Sequence, residues 1–174
     1  MTKAETDGMA LLRPLLAGGD RRSIARSAEA RAALDAEPRL LGALAALAGD
    51  TDWLVAMRAV DLLEKLAQAS PSLVEPYKHL FLGPLADSDK WEVRLQIVRA
   101  LPLFSWAPAE RKRARAILTR DLDHPQTFVR AWAADSLSKL APEAPELERA
   151  LCQFEQSGSK ALQTRAKKIR AARP

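Results

Sequence analysis

Asp50-Thr-Asp-Trp-Leu-Val-Ala-Met-Arg-Ala-Val-Asp-Leu-Leu returns, altered, as Asp87-Ser-Asp-Lys-Trp-Glu-Val-Arg-Leu-Gln-Ile-Val-Arg-Ala-Leu and as Asp123-His-Pro-Gln-Thr-Phe-Val-Arg-Ala-Trp-Ala-Ala-Asp-Ser-Leu. Each copy opens on an Asp in a polar turn and runs into an apolar stripe at helical spacing. The anchor valines, Val55, Val93 and Val129, lie 38 and 36 residues apart. Self-similarity at this period marks stacked supersecondary units, none of which can bury its apolar face alone. It predicts an all-α solenoid of about five helix pairs, about ten helices, in a single domain over residues 1–174.

Working outward from the anchors, prolines set the unit starts. Pro71, Pro108 and Pro145 recur every 37 residues, and proline suits the first turn of a helix. The approximate units are 7–35, 38–68, 71–104, 108–141 and 145–172. The second pairs Leu40, Leu41, Leu44 and Leu47 with Leu54, Val55, Ala59, Val60, Leu63 and Leu66, across Gly49-Asp50. The third pairs a helix from Pro71 through Tyr77 and Phe81 with one carrying Val93, Ile97, Val98 and Leu101; Pro102 is expected to bend its end. In the fourth, Ile117 and Leu118 face Val129, Ala133 and Leu137. The end units are looser: Gly18-Gly19 makes the turn of the first, and Gly158 separates the two helices of the last. Val93 and Val129 are expected to be buried.

Composition agrees. Hydrophobic residues make up 48% of the chain but only nine are aromatic, and seven glycines are few for a strand-rich protein; the apolar content is Ala and Leu, as helix-on-helix packing favours. A single cysteine, Cys152, calls for no oxidising compartment. No stretch approaches the apolar length of a membrane span, and the polar start resembles no leader peptide. The expectation is a cytoplasmic protein with no membrane partner. The net charge of +5 is uneven: residues 109–174 carry fourteen basic and eight acidic side chains, whereas residues 1–50 carry seven of each.

The unit resembles the HEAT repeat. In that family a proline opens the first helix, an Asp lies in the turn, and a Val-Arg or Val-Lys pair opens the second helix. Val93-Arg94 and Val129-Arg130 match; Val55-Ala56 keeps the Val, while Ala25-Arg26 and Thr164-Arg165 keep the Arg. The segments Arg21-Arg-Ser-Ile-Ala-Arg-Ser, Met57-Arg-Ala, Glu92-Val-Arg and Gly158-Ser-Lys-Ala are also similar to small bacterial HEAT-repeat proteins. The resemblance implies a right-handed array whose second helices line a concave face. It also implies a ladder between units, with Asp20, Asp50, Asp87 and Asp123 opposite Arg26, Arg94, Arg130 and Arg165.

Two sets of residues are candidates for function. Three and six residues past the anchors stand Arg58, Asp61, Gln96, Arg99, Trp132, Asp135, Lys167 and Arg170. Six residues turn a helix by 600°, so the row of Arg31, Asp61, Arg99, Asp135 and Arg170 points away from the anchor and toward solvent. Its alternating sign excludes a continuous basic track. It reads either as a salt-bridge ladder, with Asp61 and Asp135 near cations of adjacent units, or as a partner-binding row in which Trp132 and the arginines are suitable anchors. The second set is basic: Lys112, Arg115, Lys160 and Lys167 could contact phosphate at the C-terminal end, carrying no sequence preference. Trp53 and Trp91, at equivalent helix starts, read as packing residues.

No glycine-rich phosphate loop, metal-ligand spacing or nucleophile motif occurs. His79 and His124 stand apart, and His124, ahead of Pro125, suits a cap. The expectation is a non-catalytic scaffold or adaptor for a protein partner, with no cofactor. The alternative is weak, non-specific nucleic-acid binding through the basic end. Behind both stands the DNA-glycosylase class of HEAT-like enzymes, since Trp132, Asp135 and Arg99 are the residue types those enzymes use on a flipped base.

Overall fold

The computed structural model describes residues 2–172, and among them helix is the only regular structure. The described residues form ten α-helices. They cluster into two compact units, Met1–Leu80 and Phe81–Pro174.

In the first unit, α1 (Lys3–Leu16) begins earlier than the repeat pattern suggests, because Thr2 and Glu5 form a capping box. The Glu5 N–H donates to Thr2 Oγ1 at 3.2 Å and the Thr2 N–H donates to Glu5 Oε2 at 2.7 Å, satisfying two otherwise orphaned donors. α2 (Ser27–Ala36) follows the Gly18-Gly19 turn, and both glycines have positive φ. Pro38–Leu40 forms a 3₁₀ turn leading into α3 (Leu41–Leu47). α1 packs on α3 with little separation: a Cβ built on Gly8 would lie 2.7 Å from that of Ala43. α4 (Trp53–Ala69) is capped by Asp52, whose carboxylate accepts the Leu54 N–H at 3.0 Å.

The third pair departs from expectation. In place of a regular first helix there is one turn, α5 (Pro71–Val74), then 3₁₀ helix over Glu75–Leu82 and Pro84–Asp87. Pro76 and Pro84 lack the N–H that an α-helix needs from them, and Gly83 lies between; proline inside a helix costs about 3 kcal/mol. Its partner α6 (Trp91–Ala100) ends where Pro102 enforces a 3₁₀ turn over Leu101–Leu103, as the sequence implies. α7 (Pro108–Asp121), α8 (Thr127–Leu140), α9 (Pro145–Gln156) and α10 (Lys160–Ala171) then follow the proline-started pattern. α8 is the hub of this unit, packed by α6, α7, α9 and α10.

The register read from the anchors holds. Val55 and Val129 are fully buried and Val93 is 4% exposed. Trp53 and Trp91 both open their helices.

Arg58, expected in an exposed row, is instead 2% exposed. It turns inward because the end of α1 and the segment after it offer carbonyls: its guanidinium donates to the Leu16 oxygen, to the Asp20 oxygen at 2.9 Å and to the Ser23 oxygen at 3.0 Å. This grip holds a segment that includes Ala25 at φ +49, a conformation unfavourable for a residue with a Cβ. Arg58→Met removes the charged donor while keeping the stem's bulk. It should lower stability to urea by roughly 2–3 kcal/mol and expose residues 17–26 to limited proteolysis. A loss under about 1 kcal/mol with an unchanged cleavage pattern would mean that water replaces Arg58 at these carbonyls.

Candidate binding cleft

Of the candidate residues in the second unit, Arg99 and Asp135 gather about Trp132, together with Arg165. α8 carries Trp132 and Asp135 on adjacent turns. α6 brings the Arg99 guanidinium to 5.1 Å from the indole centroid, and α10 brings that of Arg165 to 4.3 Å. The ring is thus covered by cations from both neighbouring helices, an arrangement favoured by the ring quadrupole. Arg165 Nη1 also donates to Asp135 Oδ1 at 2.6 Å, and Lys139 Nζ lies 2.8 Å from Asp135 Oδ2.

Asp135 does not point into solvent as expected; it is 8% exposed. Packing by α10 removes it from water. Burial opposes its ionisation, but the hydrogen bonds from Lys139 and Arg165 and the charges of both outweigh burial, so its pKa lies below the ordinary carboxylate value. One half of the expected ladder behaviour is present, since Arg165 belongs to the next helix pair. The other half is absent: Asp61 takes Lys65 of its own helix at 2.6 Å. The remaining row members separate. Gln96 accepts from Arg99 Nη1 at 3.4 Å within α6. Arg170 turns to α9, where it meets Glu148 at 2.8 Å and Glu155 at 2.5 Å. Lys167 is exposed and Arg31 pairs with Asp35 within α2.

The ladder implied by the turn aspartates takes a different register. Arg94 pairs with Asp121, the last residue of α7, rather than with a turn aspartate, and Asp121 is fully buried. Arg120 lies 3.1 Å from the same carboxylate and also engages Asp87, which Arg113 reaches at 3.2 Å. Arg130 donates to the Leu122 oxygen at 3.1 Å and lies over Phe154. Asp50 accepts two bonds from Arg13 of α1, at 2.8 and 3.1 Å. Asp20 bonds the Arg22 and Ser23 N–H groups at its own turn, while Arg26 pairs with Glu29. His124 Nδ1 accepts the Gln126 N–H at 3.0 Å ahead of α8. Burial, then the charges of Arg94 and Arg120, push its pKa down, consistent with a neutral acceptor. Asp121 escaped the sequence reading because only the turn positions repeat visibly.

Of the four basic candidates, Arg115 is held by Glu146 at 2.9 Å. Lys112, Lys160 and Lys167 are exposed and make no ion pair among the described residues. Lys160 lines a cleft with Thr164, Arg165 and Lys168. Arg165 and Lys168 also line a cleft of about 330 Å³ beside Trp132, Asp135, Lys139 and Ile169. Lys160, distant from Trp132 in the sequence, thus lines a cleft that adjoins the Trp132 cleft through Arg165 and Lys168. Among the described residues no cluster of His, Cys, Asp and Glu could hold a metal ion, and no helix is long and apolar enough to cross a membrane.

No family model matches the chain, and no curated protein does. A crystal structure of an engineered protein, a Northeast Structural Genomics Consortium target, is similar at 20% identity and a TM-score of 0.61, over 96% of this chain and 81% of that one. At this identity the likeness concerns fold alone, and it extends along nearly all of the helical chain.

Asp135 gives a pH signature. Its folded pKa is depressed, so its contribution to stability is present above the unfolded value of about 3.9 and is lost as pH falls through the folded value. Asp135→Asn should cost about 2 kcal/mol at pH 7, by leaving Arg165 and Lys139 without their counter-charge. The gap between variant and wild type in urea melts should close as pH drops below the unfolded carboxylate value. A gap unchanged at low pH would assign the loss to packing.

Proposed function

We propose that this chain is a HEAT-type repeat protein, bacterial and cytoplasmic, serving as a non-catalytic adaptor that binds another protein through its second unit. One observation carries the reading: Trp132, Arg99, Arg165 and Asp135 satisfy one another, at 5.1 and 4.3 Å for the cation–ring contacts and 2.6 Å for the Arg165–Asp135 bond. A carboxylate held by two cations is a weak base, and an indole already covered by guanidiniums offers little to a flipped base. This disfavours glycosylase-like chemistry, which needs an open stacking face. A fixed aromatic framed by arginines, at the edge of an open cleft, is the composition of a protein-binding anchor.

A second reading draws support from the exposed lysines. Lys112, Lys160 and Lys167 fit loose contact with nucleic-acid phosphates, which release counterions and so bind with a steep salt dependence.

Cross-linking with amine-reactive reagents in extract of the native host, read by mass spectrometry, tests the adaptor reading. A partner protein should cross-link to Lys139, Lys160 or Lys168. In parallel, a labelled DNA duplex should bind only weakly at physiological salt, and Lys112→Glu with Lys160→Glu and Lys167→Glu should flatten its salt slope by about three units. Tight duplex binding that persists at physiological salt, with no protein cross-link to these lysines, would reverse the order of the two readings.

A further inference from the structure

We propose that three adjoining clefts of the second unit form one docking track for an acidic segment of a partner protein, one that carries apolar side chains among its carboxylates. The proposal rests on the adaptor reading above and specifies the chemistry of the partner. The first cleft, about 350 Å³, is lined by Pro102, Phe104, Trp106, Arg111 and Lys139 among others. Lys139 also lines the second cleft, beside Trp132 and Ile169. Arg165 and Lys168 line the second and the third, and the third, about 510 Å³, ends at Lys160. Shared side chains therefore place the three clefts side by side.

Charge sets the sign of the occupant. Five cations line the track: Arg111, Lys139, Lys160, Arg165 and Lys168. Asp135 is the one carboxylate among the lining residues, and it is buried and already bound by Arg165 and Lys139. Lys160 and Lys168 make no ion pair with another described residue. They stand two helical turns apart on one face of α10, about 12 Å, a distance an extended peptide covers in about four residues. Carboxylates on such a segment meet ammonium groups whose positive field is not cancelled nearby, which steers encounter and fixes register.

Apolar lining decides between a peptide and a nucleic acid. Single strands are held by bases stacked on open aromatic faces. Here Arg99 and Arg165 cover Trp132. Trp106 is fixed by its Nε1–H donating to the Leu101 oxygen at 2.7 Å and by edge contact with Phe104 at 5.6 Å. What the track presents is the uncovered part of these half-buried rings, beside the largely buried Ile169 and Leu140, between cationic rims. That lining suits Leu or Phe side chains of a peptide.

The test is fluorescence anisotropy of the full chain with labelled dodecapeptides. One alternates Glu pairs with Leu and Phe; one keeps the acids and replaces the apolar residues by Ser; one keeps the apolar residues and replaces the acids by Gln. Labelled oligo(dT) of matched charge is the fourth probe. The first peptide should bind at least about tenfold tighter than the other three probes. Lys160→Glu with Lys168→Glu should weaken it about tenfold, whereas Lys3→Glu with Arg22→Glu, in the first unit and outside the track, should leave it unchanged. All four side chains are exposed, and circular dichroism checks that both variants fold. Equal or tighter binding of oligo(dT), equal loss with either variant pair, or no peptide binding overturns the proposal. If the peptides fail while the cross-linked host protein still maps to this unit, the adaptor reading stands and the acidic-segment chemistry falls; if both fail, the adaptor reading falls with it.

Discussion

Two carboxylates withdrawn from water, Asp121 and Asp135, order the second unit. A buried carboxylate is tolerated only with cations at hand, and each of these has two. Asp121 at the end of α7 is met by Arg94 from α6 and by Arg120; Asp135 in the middle of α8 is met by Arg165 from α10 and by Lys139. The first pairing ties α6 to α7, and the second ties α8 to α10. Apolar packing could slide a helix along its neighbour at modest cost, since Ala and Leu recur along every face. A buried ion pair cannot slide, so it fixes the register. The placement of Arg165 over Trp132 follows from its bond to Asp135, and the cleft beside that indole follows in turn.

The first unit turns on a buried cation, Arg58, instead. Arg58 stands three residues after its anchor, as Trp132 does after Val129. Yet Arg58 is buried on the carbonyls of Leu16, Asp20 and Ser23, whereas Trp132 lines a cleft. The difference lies in the neighbouring segment. Behind α1 the chain runs through Gly18-Gly19 and a non-glycine residue at positive φ before α2 begins, leaving carbonyls that no helix satisfies. A guanidinium, with five donors in a fixed fork, meets several of them at once. Equivalent positions in a repeat inherit a direction along the helix, not a chemical environment.

That distinction explains what was legible in the sequence. Val55, Val93 and Val129 are buried, Trp53 and Trp91 open their helices, and Pro108 and Pro145 start theirs, because these depend on periodicity and on local backbone rules. The 3₁₀ run from Glu75 to Leu82 was hidden by apolar spacing that looks helical, although Pro76 and Pro84 carried the contrary signal. The partners of the arginines were not legible at all. Arg94 choosing Asp121 over a turn aspartate depends on how far α7 extends before it turns, which the repeat period does not encode. Asp135 becomes buried because α10 packs on α8, and α10 belongs to the most divergent unit.

The division of labour between the two kinds of cation bears on what the second unit can recognise. Residues 81–174 carry seventeen basic and eleven acidic side chains, against ten and eleven in residues 1–80. The arginines of the second unit are largely engaged inside it: Arg94, Arg115, Arg120, Arg165 and Arg170 all hold carboxylates. Among the described residues, the outward charge that makes no ion pair is mainly lysine, Lys112, Lys160, Lys167 and Lys168, together with the exposed Arg111 and Arg149. An ammonium is a compact, strongly hydrated charge on a flexible stem and lacks the planar fork that reads a carboxylate or phosphate bidentately. In the proposed reading such a rim attracts and orients an anionic partner over a Debye length, about 8 Å at physiological salt, but discriminates poorly among anions. Selectivity in that reading has to come from the groups held in place, the indoles of Trp132 and Trp106 and the apolar lining beside them, where shape and burial rather than charge decide which segment fits.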